Sequence, residues 1–283
     1  MCWTGDEGAI HEESDRKSGK REYAPFSLPV MARLFLATGR HLYPCLPYFT
    51  AMHTFFAPDL AGATYILPED ESKHAVRVLR LGVADVVELL DGRGGRYTAA
   101  VADANPKRCQ LHVTHNETVQ ARSYYTHVAV APTKNLDRME WFVEKAVEIG
   151  VERITFLRCA RSERRELKLE RLEKIAISAL KQSSQAWLPQ LDEMTDYAEF
   201  VHATDPATTF IAHLADDERT ALSSVAAVGA RCCVLIGPEG DFTSAEITMA
   251  RGRGIRPVML GASRLRTETA ALAAVLTSHI CRE

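Results

Sequence analysis

Leu235-Ile236-Gly237-Pro238-Glu239-Gly240-Asp241-Phe242, followed further along by Leu260-Gly261-Ala262-Ser263-Arg264-Leu265-Arg266-Thr267-Glu268-Thr269-Ala270, is the stretch from which the fold can be read. Each half reads as an apolar strand that runs into a glycine-containing turn and on into a helix, leaving backbone amides and carbonyls free at the strand end. Two such turns side by side make a crevice, and in open α/β sheets ligands bind beyond the carboxyl ends of the strands. Gly237, Gly240 and Gly261 have no Cβ, so the main chain there can come close to a bound molecule or take positive φ. Neither common nucleotide cradle is present. The lysine of a G-x-x-x-x-G-K-[ST] loop is missing, and no G-x-G-x-x-G stands between a strand and a helix. A lone Gly-Pro is most simply a turn. A second glycine bend carrying Arg-Leu-Arg-Thr-Glu-Thr holds more chemistry than turning requires.

Upstream of these bends, from Tyr124, strands and helices alternate. Residues 126–131 read as a strand, and Asn135 can cap a helix over 136–149 that places Leu136, Met139, Val143, Ala146 and Val147 on one face before Gly150 ends it. A strand at 153–157, a helix over 168–186 and buried strands at 210–214 and 232–236 follow. Thr243-Ser244-Ala245-Glu246 has the spacing of a capping box, residues 257–260 form the last strand, and a helix over 267–280 closes the chain. This alternation predicts an α/β fold, a parallel sheet with helices on both faces.

From His53 to about Val119 the pattern is of short strands, at 64–67, 85–90, 96–101 and 108–113. Asp91-Gly92, between two β-rich runs, predicts a hairpin. Residues 71–81 have helical spacing, with Lys73, His74, Arg77 and Arg80 on the polar face. A short helix in a small β-barrel is expected, its basic face either a solvated surface or an RNA contact. Residues 1–51 have no sustained period of either kind and are expected to be a poorly ordered leader rather than a signal or transit peptide.

With 283 residues, 46% of them hydrophobic and 25% charged, the chain has globular composition and room for two domains. No apolar run reaches the length of a membrane span. The seven cysteines are scattered without a C-x-x-C pair, which points to a reduced, cytoplasmic chain without structural zinc. None of the ten histidines pairs with another ligand at metal spacing within one element, and no G-x-S-x-G supports a serine hydrolase. A net charge of −3 excludes a general polyanion binder, so RNA contacts must come from local basic patches. One such patch is Arg251, Arg253, Arg256, Arg264 and Arg266. Another is Arg158, Arg161, Arg164, Arg165 and Lys168, where Glu163 and Glu166 make surface salt bridges an equal account.

The paired bends resemble the signature of the SPOUT superfamily of knotted methyltransferases, and within it the family that methylates N3 of a uridine in small-subunit ribosomal RNA. That family's segments read close to G-P-E-G-G-F-S-x-x-E-I and L-G-x-R-I-L-R-T-E-T-A. This chain departs with Asp241 in place of a second glycine, and with Ser263-Arg264 in place of arginine and an aliphatic residue. The H-x-x-x-V-L-R run at 74–80, followed by Gly82 and Asp85, is similar to the family's PUA-like RNA-binding domain. The resemblance extends over about residues 52–283. It implies a PUA-like barrel over 52–119, a methyltransferase domain over 120–283 with a C-terminal trefoil knot, and a homodimer. It further implies S-adenosylmethionine as methyl donor, held by Ile236, Gly237, Gly240, Leu260, Gly261, Leu265 and Thr267. The basic clusters themselves lead to the expectation that RNA is gripped through His74, Arg77, Arg80, Arg161, Arg164 and Arg264.

Uracil N3 carries a proton at neutral pH and is a poor nucleophile until that proton leaves. Arg266 cannot take it, because a guanidinium stays protonated. Arg266 is expected instead to stabilise the negative charge developing on the uracil oxygens, with Glu268 and Thr267 shaping the loop. The proton acceptor is left open. The alternatives are a ribose 2′-O-methyltransferase of the same superfamily and a non-catalytic RNA-binding protein of ribosome assembly.

Overall fold

The computed structural model describes residues 52–215 and 218–282. The leader expected at 1–51 lies outside the described residues. The first part holds β1 (Thr54–Phe56), β2 (Thr64–Ile66), α1 (Glu69–Lys73), β3 (Val86–Leu90), β4 (Gly95–Asp103) and β5 (Gln110–Thr118). Its five strands form one sheet, ordered β1-β3-β4-β5-β2, around a core of Phe55, Leu67, Val87, Leu89 and Leu111. The expected hairpin joins β3 to β4, and Gly92 (φ 72°) and Gly94 (φ 96°) take the left-handed conformations that the turn needs. The helix expected at 71–81 is shorter: α1 passes into a π-helical turn, His74–Val78, and ends before Arg80, whose φ is 58°.

The second part runs β6 (Tyr125–Val130), α2 (Leu136–Ile149), β7 (Arg153–Arg158), α3 (Leu169–Ser183), β8 (Gln190–Asp196), α4 (Tyr197–Ala203), β9 (Thr209–Ala212), β10 (Thr220–Ala221), α5 (Leu222–Ala226), β11 (Arg231–Ile236), α6 (Ser244–Gly252), β12 (Arg256–Met259) and α7 (Thr267–Ile280). Its seven strands are all parallel, in the order β10-β12-β9-β11-β6-β7-β8. Strand β11 lies at the centre and brings Ile236 to the end of the sheet between Val130 of β6 and Ala212 of β9.

The two faces of this sheet bury different clusters. Val128, Val130, Ile154, Phe156, Val234 and Ile236 pack with residues of α2, α3, α5 and α7, while Ala129, Leu157, Ile211 and Leu235 pack with Tyr197, Phe200 and Val201 of α4 and Ile247 and Ala250 of α6. At ~25 cal/mol per Å² of apolar surface, these two layers dominate the stability of the fold.

Local signals set the helix ends. Asn135 accepts from the Asp137 amide at 3.0 Å to start α2, and Gly150 (φ 105°) stops it. The Thr243/Glu246 capping box of α6 is formed from both sides, with Thr243 N donating to Glu246 Oε2 at 2.7 Å and Glu246 N to Thr243 Oγ1 at 3.3 Å. Helix α3 ends at Ser183 rather than 186, because Ser184 turns left-handed at φ 50°.

The two sheets share a seam. Lys181 of α3 pairs with Glu71 at 2.7 Å, and Arg96 Nη2 donates to Ser184 O at 2.8 Å. No helix among the described residues is long and apolar enough to cross a membrane.

Candidate active site

The carboxyl ends of β9, β11 and β12 open into one cavity of about 470 Å³, and both glycine bends line it. Its wall includes Ile236 and Gly237 from the first bend and Leu260, Gly261, Leu265, Arg266 and Thr267 from the second. The bends are tied together: Thr267, the first residue of α7, donates from its buried Oγ1 to Gly237 O at 3.1 Å. Gly237 is also tightly enclosed, since a Cβ there would lie 3.1 Å from both Phe242 Cδ2 and Phe242 N. Gly261 is the opposite case. It takes φ 136° and faces open space, so the main chain can reach a ligand unobstructed.

The structure explains the departure at Asp241. Its φ is 61°, a conformation that glycine adopts freely and that aspartate tolerates by bonding locally. Here Asp241 Oδ1 accepts from its neighbour Phe242 N at 2.8 Å and Oδ2 from Leu214 N at 2.8 Å. The carboxylate thereby fastens the loop after β9 to the first bend. Ser263 and Arg264, the other departure, stand on the rim of the cavity, with Arg264 exposed.

The expected site residues do not all converge. Gly240 is outside the cavity wall, and its carbonyl accepts from Arg161 Nη1 at 2.7 Å. Arg164 Nη2 donates to Lys134 O at 2.7 Å, so Arg161 and Arg164 both brace loops around the cleft. Glu268 also lies off the wall. It is 6% exposed, with Oε1 3.8 Å from Arg138 Nε and Oε2 buried without a hydrogen-bond partner. His74, Arg77 and Arg80 are exposed on the smaller sheet's π-turn and its exit, and none of them lines the cavity.

Sequence reading missed Arg138, Ala212, His213, Leu214, Arg219 and Met259, all of which line the cavity. Arg219 Nη1 donates to His213 O at 2.6 Å and braces the loop after β9. The strand recognised at 210–214 held the missing signal, because its carboxyl end opens into the same crevice as its parallel neighbours.

A second cavity of about 500 Å³ opens at the amino ends of β6, β7, β9 and β11, on the face that α4 and α6 cover only in part. His127, Thr155 and Asp192 are linked within it: Thr155 donates to Asp192 Oδ2, and Thr155 Oγ1 lies 2.8 Å from His127 Nε2. Since the threonine proton goes to the carboxylate, His127 Nε2 must be the donor in their contact. Burial pushes the His127 imidazole down to about 4, helped by the Arg153 charge, so the ring is neutral at physiological pH. Among the described residues, no group of three or more His, Cys, Asp or Glu could hold a metal.

Comparison with known proteins defines the class. The RNA methyltransferase domain family matches residues 121–278, and the RNA methyltransferase PUA domain matches residues 67–114. The chain belongs to the RNA methyltransferase family. It is 41% identical to a probable rRNA-methyltransferase from Porphyromonas gingivalis whose crystal structure superposes with a TM-score of 0.77, covering 82% of this chain and 98% of that one. A ribosomal RNA small subunit methyltransferase E from Neisseria gonorrhoeae, crystallised with S-adenosyl methionine, is 28% identical with a TM-score of 0.72, over 80% of this chain and 95% of that one. Among curated relatives, the ribosomal RNA small subunit methyltransferase E of Rickettsia conorii is 27% identical over 77% of this chain and 91% of its own.

Proposed function

We propose that this protein transfers a methyl group from S-adenosylmethionine to N3 of a specific uridine in small-subunit ribosomal RNA, in the cytoplasm and as a homodimer. The observation that carries the reading is the single cleft formed by the two glycine bends and cross-tied by Thr267 and Gly237. Its size suits a nucleoside-sized ligand. The open approach at Gly261, the apolar Ile236, Leu260 and Leu265, and the backbone groups at the strand ends fit an adenosine with a sulfonium tail. Two relatives crystallised with S-adenosyl methionine support the same donor.

Bound S-adenosylmethionine supplies an electrophilic methyl group, and the protein's task is to make uracil N3 accept it. Arg266 is exposed on the cavity wall, so its donors can meet the uracil oxygens where negative charge accumulates as the N3 proton leaves. One well-placed donor of this kind is worth ~3–4 kcal/mol in the transition state.

The expected division of labour remains part of this proposal: residues 52–119 grip RNA and residues 120–283, threaded as a trefoil knot, carry the chemistry. His74 and Arg77 sit in a π-turn, an uncommon element frequent at functional sites, and Arg264 adds a basic group at the cleft itself. Trp141 on α2 and Leu276 and Ile280 on α7 are 43%, 43% and 63% exposed, apolar surface suited to a second copy.

Nucleoside mass spectrometry of unmodified small-subunit RNA treated with the protein and donor tests the reaction. The expected product is 3-methyluridine. A methyl group on the sugar would overturn the choice of target atom, and unmodified RNA would favour a non-catalytic role. In the same assay Arg266→Ala should reduce turnover ~100-fold while donor affinity stays near that of the wild type.

A further inference from the structure

Glu268 sits in the first turn of α7, where a helix amino terminus favours negative charge. Yet its carboxylate is 6% exposed, one oxygen has no hydrogen-bond partner, and the other has only a loose contact of 3.8 Å with Arg138 Nε. A buried carboxylate left this unsatisfied is costly, and the cation beside it is its natural complement. Arg138 is placed as awkwardly. It stands in the first turn of α2, where the helix dipole disfavours positive charge and the one acidic residue of that turn is its neighbour Asp137. The side chain nevertheless borders two cavities at this end of the sheet: the cleft of the two bends, and a recess of about 300 Å³ shared with Asp137, Trp141, Glu268 and Thr269.

We infer that Arg138 is a substrate-recognition residue of this cleft, presenting its guanidinium to the oxygen-rich edge of the target nucleotide, and that Glu268 is the positioning residue that acts through it. The inference rests on the proposed methyl transfer to RNA. Glu268 fixes the charge on one side of the guanidinium, and the remaining donors are free to face the cleft, whose wall also carries Arg266 on the second bend. Glu268 thus stays clear of the reacting atoms. The forked geometry is the reason for an arginine here, because a lysine offers one point charge and cannot serve both sides at once.

The test uses the full chain as wild type, Arg138→Ala, Arg138→Lys, Glu268→Gln and the Arg138→Ala/Glu268→Gln double variant, with unmodified small ribosomal subunits as substrate. Arg138→Ala is expected to lower kcat/KM for RNA ~30-fold, with the donor dissociation constant by calorimetry within about twofold of wild type. Glu268→Gln keeps the shape and loses the charge, and should cost about tenfold. The double variant should be no worse than Arg138→Ala alone, because the pair acts as a unit. Arg138→Lys should fall between wild type and alanine.

Multiplying losses in the double variant, or donor affinity falling in step with turnover, would overturn the inference. If Glu268→Gln lowers the melting temperature, the ordering of the lysine and alanine variants at half-exposed Arg138 decides instead, and equal losses in those two count against it. RNA affinity by filter binding is read on the same proteins. A wild type that binds RNA and transfers no methyl group would defeat the proposed function, and the affinity cycle would then decide this inference alone.

Discussion

Acid should weaken this protein through His127, and the structure gives both the sign and the size. The imidazole is 8% exposed, and burial holds it at about 4, whereas in the unfolded chain it titrates near 6.5. Below about pH 6.5 the unfolded state takes up a proton that the folded state refuses, so stability falls with pH until the folded ring itself titrates near 4. A gap of this size is worth about 3 kcal/mol in all, of which about 2 should be gone by pH 5. Asp192 does not blur this window. Desolvation pushes its carboxyl up, but hydrogen bonds from Arg153 and Thr155 outweigh that and hold it below its ordinary value.

His127→Gln removes the titrating ring and leaves an amide that can still donate to Thr155. Urea unfolding at steps between about pH 7.5 and pH 5 should show the wild type losing stability towards acid, with a much flatter profile in the variant. Burial raises the Glu152 carboxyl, a contribution of opposite sign that is common to both proteins and cancels in the comparison. Parallel profiles would refute the reasoning and show that the buried ring is protonated or that its surroundings open at mildly acid pH.

Three further outcomes follow from the cleft and its flank. Gly237→Ala puts a methyl group 3.1 Å from Phe242 Cδ2 and the Phe242 amide, and should cost about 1–3 kcal/mol by thermal unfolding while weakening donor binding measured by calorimetry. Thr267→Val deletes the bond to Gly237 O and should cost about 1 kcal/mol, with a matching loss of donor affinity; unchanged affinity would mean that the two bends hold their places without the tie. Leu276→Glu, on the exposed face of α7, should convert dimers to monomers in sedimentation experiments with little change in melting temperature, and a wild type that sediments as a monomer would remove the dimer from the proposal.

The cleft was legible in the sequence because both of its walls are local: a strand end, a glycine and a helix start are contiguous, and the parallel sheet places them side by side. What stayed hidden was tertiary. Arg138 lies near the start of α2 at a position that spacing assigns to the polar side, and only the packing of α2 beside α7 brings it to Glu268. Glu268 was expected to shape the loop that carries Arg266, two residues before it. Helical geometry turns successive side chains by about 100°, so two steps carry it to the far side of α7.

Helix α4 was missed for a different reason. It has seven residues and follows edge strand β8, whose residues are nowhere fully buried and show no clear alternation. The small sheet was recognised from its hairpin, whereas the π-turn at 74–78 reads as ordinary helix, since one extra residue per turn barely alters the spacing of its apolar positions.

The tie between Thr267 and Gly237 also bears on biosynthesis. A chain still emerging from the ribosome can have β11 in place and its first bend formed, yet the carbonyl of Gly237 waits for a hydroxyl thirty positions downstream. Donor affinity therefore waits on the arrival of α7, and a fragment halted before that helix should fail to capture the ligand even with its central strands already paired.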